Sequence, residues 1–192
     1  EQVIPREKKP FIIGNRPFVG AGLMNREQKQ DLRRVFAGMR AAGNMDYVTA
    51  WYRKAAEYMA GTDIQAAFVS TNSITQGAQA GLLWNCLAHD FGMELDFARR
   101  SFVWNNEARG QAKVHCVILG FSSRERKKKE PKRIFQGDTC RPVPHINAYL
   151  AAAPDVFLES RRKPLWPVPS MVFGSMANDG GHLLLSPEEA GQ

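Results

Sequence analysis

The feature that most constrains the fold of this chain is a repeated change between short strand-like runs and longer amphipathic segments. Buried strands are predicted at Phe11–Ile13 and Ala66–Ser70, where apolar residues form runs of strand length. Helices with apolar residues at i, i+3, i+4 and i+7 are predicted to open at Asn25, at Asp46 and near Gln76. This order of strands and helices indicates an α/β fold with a mostly parallel sheet.

The ends of these helices carry local signals. Gln28 follows Asn25 at the spacing of a capping box, in which two side chains satisfy free backbone N–H groups reciprocally. Gly43, Gly61 and Gly92 are each expected to end a helix, because glycine readily adopts the left-handed conformation that closes many helices. The region before residue 93 is therefore predicted to hold three helices.

Two longer extended runs follow, Leu95–Trp104 and Ala112–Phe121, and Gly110 lies in the polar segment between them. They are predicted to form an antiparallel hairpin with a loose loop. After Arg141 helical periodicity disappears and seven of the eleven prolines occur, which is typical of an extended connector. We therefore divide the chain into residues 1–140 and a connector, 141–192.

Both ends of the sequence suggest a larger protein. The first predicted strand begins after only ten residues, and a parallel sheet with a buried first strand needs further cover. The final segment Ser186–Glu189 has the cap, proline and acidic residues of a helix start. We expect the chain to be part of a longer polypeptide.

Positive charge is concentrated in one tract. The formal net charge is +7, and the tract Arg124–Arg133 holds seven basic and two acidic residues. Such a distribution suits a polyanion such as nucleic acid, and the alternative is a solvated loop that keeps the chain soluble. The candidate nucleic-acid-binding residues are Arg124, Arg126, Lys127, Lys128, Lys129, Lys132 and Arg133.

The cysteine and histidine patterns predict neither disulfides nor a metal site. Cys86, Cys116 and Cys140 are widely spaced and form no CxxC pair, and the histidines show no metal-ligand spacing. No apolar run approaches the roughly 20 residues that a membrane span needs. These features predict a reduced, cytoplasmic protein with no membrane partner.

The first predicted strand runs into Asn15-Arg16-Pro17-Phe18. These residues resemble the (Asp/Asn/Ser)-Pro-Pro-(Tyr/Phe) motif of methyltransferases that modify amines. In that family the side-chain oxygen of the first residue and the carbonyl of the second accept hydrogen bonds from the amine, the proline stiffens the loop, and the aromatic ring stacks on a flipped base. The alternative is an ordinary strand-to-loop transition.

The resemblance extends along the chain. Its further segments occur in the family's order: Asp46–Tyr52, Phe68–Gly77, Phe102–Ala108, Val114–Phe121, Ile146–Leu150, Gly174–Ser175 and Asp179–Gly181. Together they closely resemble large bacterial adenine-specific DNA methyltransferases of the restriction–modification and phage-defence type.

The resemblance implies a partial Rossmann-like methyltransferase sheet. Residues 1–140 would form the substrate-side half of the catalytic domain, and residues 141–192 would lead toward a target-recognition domain. The cofactor would be S-adenosylmethionine, with most of its site outside this chain. The partners would be double-stranded DNA and the remaining domains of the same polypeptide.

The resemblance also implies substrate-binding residues beyond the tetrapeptide. Ser70 and Asn72 follow a strand at its carboxyl end, where ligands bind in open α/β sheets, although a helix-capping turn is an equal alternative. Phe102 and Trp104 lie where the family places an aromatic side chain near the flipped base. Since they share one strand face, the alternative is that at least one belongs to the core.

Two departures from the family pattern bear on function. Arg16 replaces the usual proline, and Gly20–Gly22 follows the motif, so it does not replace the cofactor loop expected upstream. The main hypothesis is an adenine methyltransferase whose fragment alone is inactive. The alternatives are a catalytically impaired DNA-binding or assembly module, and a methyltransferase for another amine or amide.

Overall fold

A computed structural model describes residues 10–39, 41–104, 114–158, 164 and 166–169. The chain divides into two compact units, 1–159 and 160–192. In the second unit the amide N–H of Val168 donates to the carbonyl of Trp166. Several predicted features lie outside the described residues: the loop segment at 105–110, the resemblance segments at 174–175 and 179–181, and the helix start Ser186–Glu189.

The first unit is built on a six-stranded sheet with strand order β1-β2-β4-β3-β5-β6. The strands are β1 Phe11–Asn15, β2 Gln65–Thr71, β3 Met93–Trp104, β4 Val114–Ser123, β5 Lys132–Gln136 and β6 Thr139–Val143. The predicted α/β class and the predicted β3–β4 hairpin are confirmed.

The sheet is mixed rather than mostly parallel, which corrects the expected arrangement. β1–β2 and β3–β5 are parallel, while β2–β4, β3–β4 and β5–β6 are antiparallel. Two features of the topology make the sheet mixed. β4 enters between β2 and β3 in the opposite direction, and a second hairpin, β5–β6, forms in sequence whose composition predicts a charged loop and the start of a connector.

The first strand is less buried than predicted. Phe11 and Ile13 are 61% and 78% exposed, whereas Ile12 packs partly against the core. β1 pairs only with β2 among the described residues, and its alternating side chains place Phe11 and Ile13 on one exposed face.

Three α-helices lie along the sheet: α1 Arg26–Val35, α2 Thr49–Met59 and α3 Gly77–Asp90. The capping box of Asn25 and Gln28 is confirmed, with both reciprocal hydrogen bonds present. Gly61 and Gly92 adopt positive φ just beyond α2 and α3, as predicted. α1 ends at Val35, before the predicted Gly43, because the chain turns after Phe36 and Gly38 takes φ 84°.

An aromatic cluster joins the helices to the sheet. Tyr52 of α2 lies 5.1 Å from Phe68 of β2 and 5.4 Å from Phe121 of β4, measured between ring centres, and Trp84 of α3 also contacts Phe121. All four side chains are buried. This packing anchors the carboxyl half of β2.

The described part of the connector folds back over the sheet and α3. The guanidinium of Arg100 on β3 donates two hydrogen bonds to the carbonyl of Leu150, a residue held at φ 58°. Farther on, the backbone of Leu158 passes so close to Gly81 of α3 that a Cβ at that glycine would lie 2.7 Å from the Leu158 carbonyl oxygen. Residues 144–158 contain no helix.

Candidate active site at one end of the sheet

Strand register brings most of the predicted site residues to one end of the sheet. Asn15 ends β1 beside Val69 of β2, and β2 continues to Thr71. On the far side of β4, Trp104 ends β3 opposite Val114. The sheet therefore gathers the tetrapeptide, the turn after β2 and the aromatic end of β3 along one edge.

The tetrapeptide occupies the loop that leaves β1. Asn15 and Pro17 are exposed, and Phe18 is half-buried. Arg16 turns toward the sheet, and its guanidinium carbon lies 5.1 Å from the ring centre of Phe68. The Nε atom of Arg16 is buried and has no hydrogen-bond partner among the described residues.

Ser70 is placed beneath the site rather than on its surface. Its side chain is buried, and its hydroxyl lies 2.9 Å from the phenol oxygen of Tyr52. Burial raises the pKa of Tyr52, so the phenol stays protonated at neutral pH. Ser70 therefore supports the end of β2 from below through this hydrogen bond.

Asn72 opens a short 3-10 turn, Asn72–Thr75, directly after β2. Its amide donates to the hydroxyl of Ser101 on β3, at 3.3 Å, so the turn reaches across the end of β4. The turn leads into α3, as the helix-capping alternative for Ser70 and Asn72 expects. The residue at the cap position of α3, however, is Gln76.

Phe102 and Trp104 differ in exposure. Phe102 is half-buried beneath the guanidinium of Arg99, whereas Trp104 is 40% exposed. Their ring centres are 6.2 Å apart. β1 and β3 are separated by three strand spacings, which is about 14 Å, so these rings lie well to one side of Asn15.

The carboxylate of Asp46 links the loops of this site, and the sequence did not predict this role. The sequence predicts that Asp46 opens the second helix, but α2 begins at Thr49. The Asp46 side chain instead accepts hydrogen bonds from the backbone N–H of Ala21, the hydroxyl of Ser73 and the amide of Gln79. An aspartate before a helix predicts a local cap, and no local pattern signals partners 25 to 33 residues away.

The basic tract lies at the opposite end of the sheet. It follows the end of β4 and leads into β5, whose Arg133 pairs with Phe97 near the start of β3. Several of its cations already have acidic partners. The ion pairs are Arg124–Asp155, Lys128–Glu130, Lys129–Glu94 and Lys132–Glu94.

The Glu94 pairs are the best buried of these. Its carboxylate lies 2.8 Å from Nζ of Lys129 and 3.1 Å from Nζ of Lys132. Burial raises the pKa of Glu94, but hydrogen bonds and charge from the two lysines outweigh it, so the net pKa is lowered. These two lysines therefore stabilise the fold at this end of the sheet.

The described residues hold no group of three or more His, Cys, Asp or Glu side chains that is arranged to bind a metal ion. Cys86 and Cys116 are buried and Cys140 is exposed, and all three are unpaired thiols. Burial raises the pKa of Cys86 to about 11. Among the helices of the described chain, none has the length and apolar character needed to cross a membrane.

Two family models match the chain in succession. The model described as the MmeI DNA-methyltransferase domain matches residues 1–136, and that described as the MmeI target recognition domain matches residues 152–192.

Two relatives agree with these matches. DNA methyltransferase A of Bacillus subtilis (strain 168) is 38% identical over 179 residues, which is 93% of this chain and 20% of that protein. The solved structure of the Type IIL restriction-modification enzyme MmeI in complex with DNA has a TM-score of 0.87 at 41% identity, over 97% of this chain and 25% of that one. This chain thus spans about a fifth to a quarter of the length of these relatives.

The family model covers well over half of the sequence, and the fold matches that of the MmeI structure over 97% of the chain. The expected family is therefore confirmed. The chain belongs to the MmeI DNA-methyltransferase domain family of restriction–modification methyltransferases.

Proposed function

We propose that the complete protein transfers a methyl group from S-adenosylmethionine to the exocyclic amine of an adenine flipped out of double-stranded DNA. One observation carries this proposal. Asn15, the first residue of the motif, is exposed at the carboxyl end of a strand that runs parallel to β2, at the sheet end shared with Asn72 and Trp104. Ligands of open α/β sheets bind at the carboxyl ends of parallel strands.

Each residue of the loop has a role in positioning the base. The side-chain oxygen of Asn15 and the backbone carbonyl of Arg16 accept hydrogen bonds from the adenine amine and direct its lone pair toward the methyl donor. Phe18 stacks on the flipped base and offsets part of the stacking lost from the duplex. Positioning of this kind supplies much of the barrier reduction for a direct displacement.

The aromatic residues at the end of β3 have a separate role, which concerns the DNA beside the flipped base. Because Phe102 and Trp104 lie about three strand spacings from Asn15, we assign the exposed Trp104 to contacts with nucleotides next to the flipped base. Asn72 holds the turn after β2 against β3 near these rings, and Ser70 supports that turn from the core.

The residues of the loop fit the methyl-donating end of the cofactor. S-adenosylmethionine supplies an electrophilic methyl group on a positively charged sulfur. Asn15 presents a neutral amide there, while the Arg16 guanidinium is withdrawn over Phe68 and so does not place a cation at the sulfonium. The glycine-rich loop expected for the rest of the cofactor belongs to the remainder of the polypeptide.

The wider assignments rest on the same family. We propose that residues 1–140 form the substrate-side half of the catalytic domain and that residues 141–192 lead toward the target-recognition domain. The successive family models, at residues 1–136 and 152–192, support this division. We further propose a cytoplasmic protein whose partners are double-stranded DNA and the other domains of its own chain.

A test of the reaction offers three classes of acceptor to the complete protein. Unmethylated DNA made by amplification, RNA and protein extract are each incubated with methyl-labelled S-adenosylmethionine. The proposal expects label in DNA alone. Label mainly in RNA or protein would contradict it and would favour the methyltransferase for another amine or amide.

One observation favours a second candidate, a catalytically impaired DNA-binding or assembly module. Arg16 replaces a proline that would restrict the loop, and arginine leaves the backbone torsion at this position free to vary. This candidate predicts DNA binding by the complete protein with no transfer to any acceptor.

A further inference from the structure

The carboxylate of Asp46 joins three segments around the candidate active site. Its Oδ1 atom accepts from the backbone N–H of Ala21 at 3.0 Å, and its Oδ2 atom accepts from Ser73 and from Nε2 of Gln79. We propose that Asp46 is a positioning residue that holds the Asn15–Phe18 loop in register with the turn after β2. This inference rests on the proposed methyl transfer.

The contacts on one side of Asp46 fix the exit of the catalytic loop. The loop begins where β1 stops pairing with β2, at Asn15. It is held again at Val19, whose carbonyl accepts from the N–H of Tyr47 at 2.9 Å, and at Ala21, which donates to Asp46. Phe18 directly precedes the first of these anchors. A shift of the 46–47 segment would therefore move Phe18 relative to Asn15.

The contacts on the other side fix the turn that follows β2. The Ser73 hydroxyl donates to Asp46 and also lies 2.8 Å from the hydroxyl of Thr71. Asn72 lies between these two residues and reaches Ser101. One carboxylate thus ties the loop that carries Asn15 to the turn that carries Asn72.

The hydrogen-bond pattern requires a carboxylate at position 46. Its oxygens accept from three donors, and a carboxylate is a pure acceptor, whereas an amide side chain has one oxygen only. Gln79 makes a two-point contact, since its Oε1 accepts from the Asp46 backbone N–H at 2.9 Å while its Nε2 donates to Oδ2 at 3.0 Å. Asparagine at position 46 would place its own N–H₂ group against the N–H₂ group of Gln79, so that two donors face each other.

The main test compares two matched aspartates in the complete protein. Asp46→Asn removes the acceptor between the loops. Asp96→Asn is the control, because Asp96 is also half-buried and accepts from two side chains, Gln65 and Ser122, but lies at the other end of the sheet. Single-turnover transfer of labelled methyl to unmethylated amplified DNA is measured for both.

The proposal expects Asp46→Asn to slow transfer about 10- to 100-fold, because small misplacements of reacting groups have effects of this size. DNA affinity should change by less than about threefold, since the loss concerns alignment rather than binding. Asp96→Asn should transfer within about twofold of the wild type, because distant sites act independently. Equal losses in both variants would show a general effect on folding and would overturn the proposal.

A rescue variant separates positioning from mere stability. Combining Asp46→Asn with Gln79→Glu exchanges donor and acceptor between the two side chains, keeps the total charge and restores the two-point contact. We expect this pair to recover most of the lost rate, and failure to recover it in a folded protein would contradict the proposal. If Asp46→Asn does not fold, Ser73→Ala removes the hydroxyl that donates to Asp46, together with its contact to the Thr71 hydroxyl, and should show the same selective loss of rate.

Hydrogen exchange gives a readout that does not depend on activity. Asp46→Asn should speed amide exchange in peptides covering residues 16–24 and 71–76, and Asp96→Asn should leave those peptides unchanged. Unchanged exchange in both segments would overturn the role of Asp46. A wild-type protein that transfers no methyl would instead refute the proposed function and leave the exchange result to decide the role of Asp46.

Discussion

The guanidinium of Arg16 packs over the ring of Phe68, with 5.1 Å between the guanidinium carbon and the ring centre. The same group lies against Gly14, where an added Cβ would approach three guanidinium atoms to 2.7 Å. Arg16 therefore lies inward along the sheet and not outward toward solvent or a DNA phosphate. Its charge is held on an aromatic face, a contact favourable to a cation.

Arg16→Pro in the complete protein is expected to raise the single-turnover rate of methyl transfer roughly tenfold, with little change in DNA affinity. Proline fixes φ near −65° and reduces the number of misaligned states of the loop. Arg16→Ala is the control, because it removes the cation and adds no ring constraint. A wild-type protein as fast as Arg16→Pro would show that the arginine is tolerated.

Tyr52→Phe is expected to destabilise the end of β2 by about 1–2 kcal/mol, because it leaves the buried hydroxyl of Ser70 without its partner. Adding Ser70→Ala should recover part of this loss, since the unpartnered hydroxyl is then gone. Native-state hydrogen exchange of amides in β2 of the complete protein measures both effects. A double variant less stable than Tyr52→Phe would contradict the assigned role of the pair.

The two halves of the basic tract are expected to behave differently. Lys127 and Lys128 are exposed, and the partner of Lys128, Glu130, is exposed as well, whereas Lys129 and Lys132 pair with the much more buried Glu94. If the tract binds phosphates, Lys127→Gln with Lys128→Gln weakens binding about equally for all DNA sequences. The slope of log affinity against log salt then falls by up to ~0.9 for each phosphate that the variant no longer neutralises.

The paired lysines provide the comparison for that experiment. Lys129→Gln with Lys132→Gln should lower thermal stability more than it lowers DNA affinity, because it leaves Glu94 without cations. A sequence-selective loss of binding by the Lys127 and Lys128 variant, with an unchanged salt slope, would rule out phosphate binding by the tract.

The Glu94 ion pairs predict a loss of stability in acid. A carboxyl group whose pKa is lowered by folding contributes stability that is complete above its ordinary value of 4.5 and is lost as pH falls through the lower folded value. Glu94→Gln should therefore lower the thermal midpoint of the complete protein at neutral pH and cost progressively less as pH falls below 4.5, because the carboxyl of the wild type becomes protonated. Glu125→Gln, at an exposed position, is the control. A deficit that is constant with pH would contradict the assignment.

Local signals predicted local structure well. The capping box of Asn25 and the stops at Gly61 and Gly92 depend on neighbours within a few residues, and the structure confirms each of them. The β3–β4 hairpin was equally predictable, because two long extended runs follow each other with a polar segment that contains Gly110 between them. The motif at Asn15 was recognisable from its residues, and strand register places it at the carboxyl end of β1.

Features that depend on distant partners were not predictable in this way. The β5–β6 hairpin is short, charged and contains Pro142, which are properties of edge strands and of loops alike. Its two-residue turn, with Gly137 at φ 56°, was a usable signal that the lysine-rich composition masked. The role of Asp46 was not predictable either, because its hydrogen-bond partners belong to other elements.

The most direct test of the account is to identify the methylated nucleoside. Unmethylated amplified DNA is incubated with S-adenosylmethionine and the complete protein, digested to nucleosides and analysed by mass spectrometry. The account predicts N6-methyladenine as the product, with formation slowed roughly 100-fold or more by Asn15→Ala, which removes an acceptor aimed at the amine. Methyl groups on cytosine, or equal rates for Asn15→Ala and the wild type, would contradict it.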